Sequence, residues 1–203
     1  MTSAAMCVVL VSMSKPLHIA VDLDDVTVDF IGGLVKSVNT EYGTNLSVDD
    51  ITQWDLHPLL DPIIGRSFWG WLRDREWLWA QFDAVPGAIG AIDKLRREGH
   101  YLEAVTSKPA WAEHNVWKWI GLWRPAFQRV TIVTLEDCKA DFTVADVLID
   151  DKPQNCLEFA REGREAIMLT RPHNREATTP QRVFRADGWP EVLGIIEGMA
   201  ARA

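Results

Sequence analysis

The run His18-Ile19-Ala20-Val21-Asp22-Leu23-Asp24-Asp25 is apolar up to Val21 and then turns abruptly acidic. That pattern reads as a buried strand delivering carboxylates to the loop at its carboxyl end, where open α/β sheets place their chemistry. Similar apolar runs ending in polar residues recur at 101–106, 130–133, 147–150 and 166–170. Between them lie amphipathic stretches at 86–97, 111–120 and 153–161, followed by the helix-stopping residues Gly99, Gly121 and Gly163. Two of the three open on a proline suited to a first helical turn, Pro86 and Pro153. Strands alternating with helices predict an α/β fold: a Rossmann-like parallel sheet with helices on both faces.

One region breaks the alternation. Residues 30–82 carry mostly helical pattern and hold five of the ten tryptophans, Trp54, Trp69, Trp71, Trp77 and Trp79. The simplest account is a small helical cap inserted after the first motif strand. The expected organisation is therefore a core of residues 16–30 and 83–203, a cap of 31–82 and an N-terminal extension of 1–15. Any single tryptophan is expected first as core. Trp77 and Trp79, two apart, point in different directions from a helix, so at most one should face a given pocket.

With 203 residues, 47% hydrophobic and 25% charged, the composition is that of an ordinary globular chain with one sizeable core. Lys plus Arg number 21 against 29 Asp plus Glu, a net charge of −8. That balance disfavours binding to a nucleic-acid duplex, which needs a concentrated basic footprint. Cys7, Cys138 and Cys156 show no CxxC spacing and are expected as reduced thiols in a cytoplasmic protein. Residues 4–13 are apolar but fall short of the ~20 residues that span a bilayer, and no Lys or Arg precedes them. Neither anchor nor signal peptide is expected there, and the stretch reads either as a short tail or strand added to the sheet, or as residues outside a protein whose true start is Met13.

Asp22 and Asp24 stand two apart at a strand end, and Asp25 and Asp29 add charge to the same turn. Such crowding is costly unless a cation neutralises it, and oxygen-only ligands point to Mg²⁺. Asp150 and Asp151 end a second apolar strand and bring more carboxylates to the same sheet edge. Neighbouring strand residues point to opposite faces, so one of this pair should reach the metal and the other support it. Thr106, Ser107 and Lys108 leave a third strand with a hydroxyl and backbone amides suited to phosphate oxygens. Lys139 could bring positive charge to the phosphate or to the carboxylates.

In order, Asp22-Leu23-Asp24-Asp25-Val26, Thr106-Ser107, Lys139 and Asp150-Asp151 resemble the four motifs of the haloacid dehalogenase superfamily of phosphotransferases. The run from Val21 to Phe30, the stretch Ile51-Thr52-Gln53-Trp54-Asp55 and the stretch Val85-Pro86-Gly87-Ala88 are similar to the 5'(3')-deoxyribonucleotidases and their bacterial and phage relatives. The resemblance implies that Asp22 attacks phosphorus to form an aspartyl-phosphate, and that Asp24 serves as acid and then base. It implies Mg²⁺ held by the Asp22 carboxylate, the Asp24 backbone carbonyl and Asp151, with Asp150 behind them. Thr106 and Lys139 would contact the phosphoryl group, and Ser107 and Lys108 would assist substrate binding. Phe30, Trp54 and Trp71 would pack on the base of a nucleoside monophosphate. Asp25 stands where the superfamily usually has glycine, and Lys152 could replace Lys139.

The implied activity is a Mg-dependent phosphomonoesterase of (deoxy)nucleoside 5'-monophosphates. The rival enzyme reading is a phosphatase of sugar phosphates or other small phosphomonoesters. A receiver-like phospho-accepting module also uses acids, Mg²⁺, Ser/Thr and Lys, but it places its second acidic strand end before the Ser/Thr and carries no aromatic insertion. A dehalogenase has no need for an acid at Asp24. Base preference, deoxyribose against ribose, 5' against 3' position, and oligomeric state, a homodimer included, are not legible in the sequence.

Overall fold

The computed structural model describes residues 15–202. Residues 4–13, Cys7 and the two candidate start residues lie outside that range. Six parallel strands form one sheet: β1 (His18–Val21), β2 (Tyr101–Ser107), β3 (Arg129–Val133), β4 (Val147–Asp150), β5 (Glu165–Leu169) and β6 (Val183–Ala186). Their spatial order is β3-β2-β1-β4-β5-β6. The chain winds outward from β1 to β3, crosses back, and winds outward again from β4. The two halves diverge between β1 and β4, where Ile19 pairs with Val147 and Val21 with Ile149. In open α/β sheets the crevice beyond the carboxyl ends of such a pair is the ligand site.

Among the described residues, seven α-helices accompany the sheet: α1 (Phe30–Tyr42), α2 (His57–Ile64), α3 (Phe68–Arg73), α4 (Ala88–Arg97), α5 (Glu113–Trp123), α6 (Pro153–Arg161) and α7 (Trp189–Ala200). Strand alternation assigns them to faces. Ile19, Val21, Ile149, Ile167 and Leu169 pack with Ile92 and Leu95 of α4 and with Val192, Ile196 and Met199 of α7. Ala20, Leu148, Ala166 and Met168 point the other way, onto Cys156 and Phe159 of α6. The helices α1 to α3 lie between β1 and β2 in the chain, and their apolar residues merge with Val116 and Trp119 of α5 into a third cluster.

The junctions of this insertion are tied together. Asp29 N–H donates to the Asp83 carbonyl at 2.8 Å, Val85 N–H donates to the Thr27 carbonyl at 2.8 Å, and Val28 bridges antiparallel to Ala84. Helix α1 begins immediately beyond, capped by Asp29, whose carboxylate accepts from Gly32 N–H at 3.2 Å. At Gly33 a Cβ would lie 2.2 Å from Cδ1 of Phe82, whose own carbonyl accepts the Trp119 indole N–H. Gly33→Ala is therefore expected to cost about 1–3 kcal/mol through overpacking, read as a lower urea midpoint.

Two elements have no counterpart in the sequence reading, β6 and α7. Strand β6 has four residues and follows a polar, Pro-containing stretch, so its own pattern is too short to stand out. Helix α7 is legible in retrospect, because Trp189, Val192, Ile196 and Met199 recur at helical spacing and are all buried. One predicted stop is corrected. Gly121 lies inside α5, which runs on to Trp123 so that Trp119 and Trp123 stack at 5.9 Å, and it ends at Arg124 with φ 49°. Likewise the first amphipathic stretch becomes helical at Ala88, after Gly87 at φ 84°, and not at Pro86. Cys138 and Cys156 are free thiols. Among the described residues no helix is long and apolar enough to cross a membrane.

Candidate active site

The loop after β1 is built to aim carboxylates. Asp22 N–H donates to the Ile149 carbonyl of β4 at 2.9 Å, and the Asp22 carbonyl accepts the buried Thr27 hydroxyl at 2.8 Å. The Leu23 carbonyl accepts Thr27 N–H and Val28 N–H at 2.8 and 2.7 Å, so the chain reverses within a few residues. Asp25 takes φ 55°, the left-handed conformation that explains why glycine is usual there and that aspartate tolerates better than most residues. Its carboxylate accepts Ile31 N–H at 2.9 Å in the first turn of α1.

Lys139 stands at the start of a short 3₁₀ turn, Lys139–Phe142, and its side chain is almost wholly buried. Its ammonium bridges Asp22 Oδ1 and Asp150 Oδ2, each at 2.8 Å. Burial alone would depress its pKa, but Asp150 and Asp22 outweigh that and hold it above the ordinary lysine range. Asp22 Oδ1 also accepts Leu23 N–H at 2.7 Å, while Oδ2 accepts nothing from any described residue.

The adjacent acids at the end of β4 differ in their partners. Asp150 Oδ2 accepts from Lys139 and from Asn155 Nδ2 at 2.9 Å, and Oδ1 accepts from Lys152 N–H at 2.8 Å. Its pKa is pushed up to about 7, by burial first and by Asp22 and Asp151 besides, against the pull of Lys139. Neither buried oxygen of Asp151 accepts a hydrogen bond. The carboxylates of Asp22, Asp150 and Asp151 each offer an oxygen within 4.8 Å of the others. An orphaned buried carboxylate beside two more is a donor set that fits a hard divalent cation, and Asp150, already saturated, is the member least free to bind it.

Asp24 pairs with the Lys108 ammonium through Oδ2, and its Oδ1 is buried without a partner. Burial raises the Asp24 pKa, Lys108 opposes the rise and Asp22 adds to it. The buried Thr106 hydroxyl at the end of β2 is likewise unpartnered. A cavity of about 330 Å³ is lined by Asp22, Asp24, Thr106, Ser107 and Lys139 together with the aromatic residues Phe30, Trp54, Trp69 and Trp79.

Of the predicted site residues, the structure gathers Asp22, Asp24, Thr106, Ser107, Lys139, Asp150 and Asp151 at the sheet edge, with Phe30 and Trp54 on the cavity wall. One expectation is corrected. Trp71 is fully buried among α1 to α3, with Tyr42 and the Arg75 guanidinium against its ring, and it does not line the cavity. The sequence offered no way to tell which face of a six-residue helix turned inward. Lys108 pairs with Asp24, and its ammonium lies 5.1 Å from the centre of the Trp79 ring that lines the cavity. Trp79 takes the aromatic place instead, stacked on Phe30 at 5.4 Å, while Trp77 is half exposed. Lys152 does not replace Lys139; its ammonium sits 5.1 Å from the centre of the Trp54 ring. Asn155 and His173 were missed. Asn155 could have been found by asking which group in the first turn after Pro153 satisfies Asp150.

The family model described as "5' nucleotidase, deoxy (Pyrimidine), cytosolic type C protein" matches residues 15–203. A protein of Staphylococcus epidermidis named "Putative 5'(3')-deoxyribonucleotidase" is 25% identical over 176 residues, 86% of this chain and 93% of its own length. The "Putative nucleotidase YqfW" of Bacillus subtilis is 22% identical over 183 residues, 87% of this chain and 92% of its own. Among solved structures, the "putative HAD-hydrolase YfnB" of Bacillus subtilis, bound to magnesium, superposes with a TM-score of 0.63 at 12% identity, over 90% of this chain and 99% of that one.

Proposed function

Because the chain belongs to the cytosolic type C family of 5'-nucleotidases, and so is a phosphatase of haloacid dehalogenase type, we propose that it hydrolyses (deoxy)nucleoside 5'-monophosphates through an aspartyl-phosphate on Asp22. The observation that carries this reading is that Asp22, whose hydrogen bonds from described residues all fall on Oδ1, and the unpartnered Thr106 hydroxyl line one cavity with Phe30, Trp54 and Trp79.

In this mechanism Asp22 Oδ2 attacks phosphorus, and the bond from phosphorus to the ester oxygen breaks. Lys139 fixes the nucleophile through Oδ1 and offsets charge on the phosphoryl group. Thr106 donates its hydroxyl to a phosphoryl oxygen. Asp24, with its pKa raised by burial, gives its proton to the departing alkoxide and then takes one from the water that attacks the aspartyl-phosphate. Asp22, the Asp24 carbonyl and Asp151 would hold Mg²⁺, which when bound supplies positive charge at the phosphate and the crowded acids. Asp150 holds Lys139 in place. Residues 31–82 serve as a cap that covers the cavity, and Phe30, Trp54 and Trp79 receive the base by stacking.

The test is a panel of deoxynucleoside and nucleoside monophosphates beside small sugar phosphates, each assayed with Mg²⁺. Preference for the sugar phosphates would transfer the function to the rival phosphatase reading. Trp54→Ala is expected to raise KM for nucleotides about tenfold, from the ~1–3 kcal/mol that stacking contributes per base, while sparing a sugar phosphate. Trp71→Ala should behave differently, lowering stability by about 3–5 kcal/mol and affecting both substrates alike.

A further inference from the structure

Beyond the four motifs, a turn after β5 grips both acidic loops. It runs through Arg171 and the 3₁₀ turn Pro172–Asn174. Arg171 reaches 146 residues back in the chain, donating from Nε at 2.7 Å and from Nη2 to the Asp25 carbonyl. Asn174 Nδ2 donates to the Asp151 carbonyl at 2.6 Å and to the Leu169 carbonyl at 2.8 Å. Between them, the buried His173 brings Nε2 to 3.1 Å from Asp151 Oδ2. Arg185 of β6 braces Asn174 from behind, with Nη1 at 3.1 Å from Oδ1 and Nη2 at 3.1 Å from its carbonyl. On its open side His173 meets the edge of Trp54, at 5.2 Å between ring centres.

The Asp151 carboxylate has no hydrogen bond to fix its direction, in contrast to Asp150 with three. A buried carboxylate that must accept a cation needs its rotamer held without both oxygens being consumed. The amide of Asn174 holds the Asp151 carbonyl, and the imidazole, whose Nε2 has no other partner and lies 3.1 Å from Oδ2 without yet making a hydrogen bond, is placed to steady the carboxylate. We infer that His173 and Asn174 are positioning residues for the divalent-cation site, His173 orienting the Asp151 carboxylate and Asn174 fixing its backbone. The inference rests on the reading of Asp151 as a cation ligand.

The test measures Mg²⁺ binding by calorimetry on the full chain, with thermal unfolding in EDTA alongside. His173→Ala is expected to weaken Mg²⁺ binding about 10- to 100-fold, the usual effect of losing a group that orients a ligand. His173→Gln keeps an N–H donor near the Nε2 position and should recover most of the affinity. A residue that merely filled space would shift the unfolding temperature in EDTA without a donor-dependent change in Mg²⁺ affinity. Wild-type affinity in His173→Ala, with Asp151→Asn still losing the metal, overturns this inference alone. Full Mg²⁺ binding by Asp151→Asn, or none by the wild type, overturns the metal reading and this one with it. Asn174→Ala adds a second arm and is expected to weaken Mg²⁺ binding as well, so wild-type affinity in a folded Asn174→Ala would remove Asn174 from the assignment.

Discussion

Asp22→Asn is expected to lower kcat by at least about 10⁴-fold, because an amide in place of the nucleophilic carboxylate cannot form the aspartyl-phosphate. The fold should survive. The Thr27 and Ile149 bonds at this position go to backbone atoms, and the Asn amide oxygen can still accept from Leu23 N–H and Lys139. Asp24→Asn should also be severely impaired, since the proton for the leaving alkoxide is gone, but it should retain much of the metal affinity because its proposed ligand atom is a backbone carbonyl. Single-turnover kinetics with a nucleoside monophosphate, paired with Mg²⁺ calorimetry, separate the two. Loss of metal from Asp24→Asn as complete as from Asp22→Asn would contradict that division of labour. Turnover retained by Asp22→Asn would remove the nucleophile assignment altogether.

The second large effect is expected from removal of divalent metal, which should cut activity by more than about 10³-fold and change how stability depends on pH. Asp24, Asp25 and Asp150 are all raised, burial being the leading cause in each case, and Asp150 reaches about 7. Above the ordinary carboxylate range near 4, the folded protein keeps protons on these groups that the unfolded chain has released, up to about 7 for Asp150. Stability in EDTA therefore falls as pH rises through this window. His100, lowered by burial, works in the opposite sense, but one partly buried imidazole stands against three buried carboxyls. Thermal unfolding in EDTA should be at higher temperature near about pH 5.5 than near about pH 8, and Mg²⁺ should recover most of the difference at the higher pH. A metal-free protein more stable at the alkaline end would refute this account of the cluster.

The carboxylates were legible because each pair ends an apolar run, and the pattern of a parallel strand is unambiguous when buried on both faces. Lys139 was legible as a candidate charge for the phosphate or the carboxylates, but nothing in a lone lysine announces burial between two acids. The division between Asp150 and Asp151 could be anticipated from strand alternation, although which of them was saturated depended on Asn155 and on the Lys152 amide. The aromatic wall was the least legible part. Phe30 and Trp54 line the cavity as the resemblance implied, whereas Trp71 and Trp79 exchange the expected places. Short helices with tryptophans on several faces carry no periodicity strong enough to choose among them. The turn that holds Asp151 was invisible because its partners come from elements far apart in the chain.

The strand order has a consequence for how the protein comes into being. The central strand β1 has its partner β4 on one side and β2 on the other, and β4 follows β2 and β3 in the chain. A growing polypeptide can pair β1 with β2 and β3 early, but the side of β1 that belongs to β4 stays open meanwhile. At ~5–20 residues per second, the 146 residues from Asp25 to Arg171 take roughly 7–30 s to emerge. Until Lys139, β4 and then Arg171 have emerged in turn, the nascent chain exposes an unpaired strand edge and a set of like charges that they later neutralise and brace. The carboxylates after β1 therefore reach their final surroundings only once β4 and the turn after β5 have emerged, and the stage most open to mispairing comes before that point.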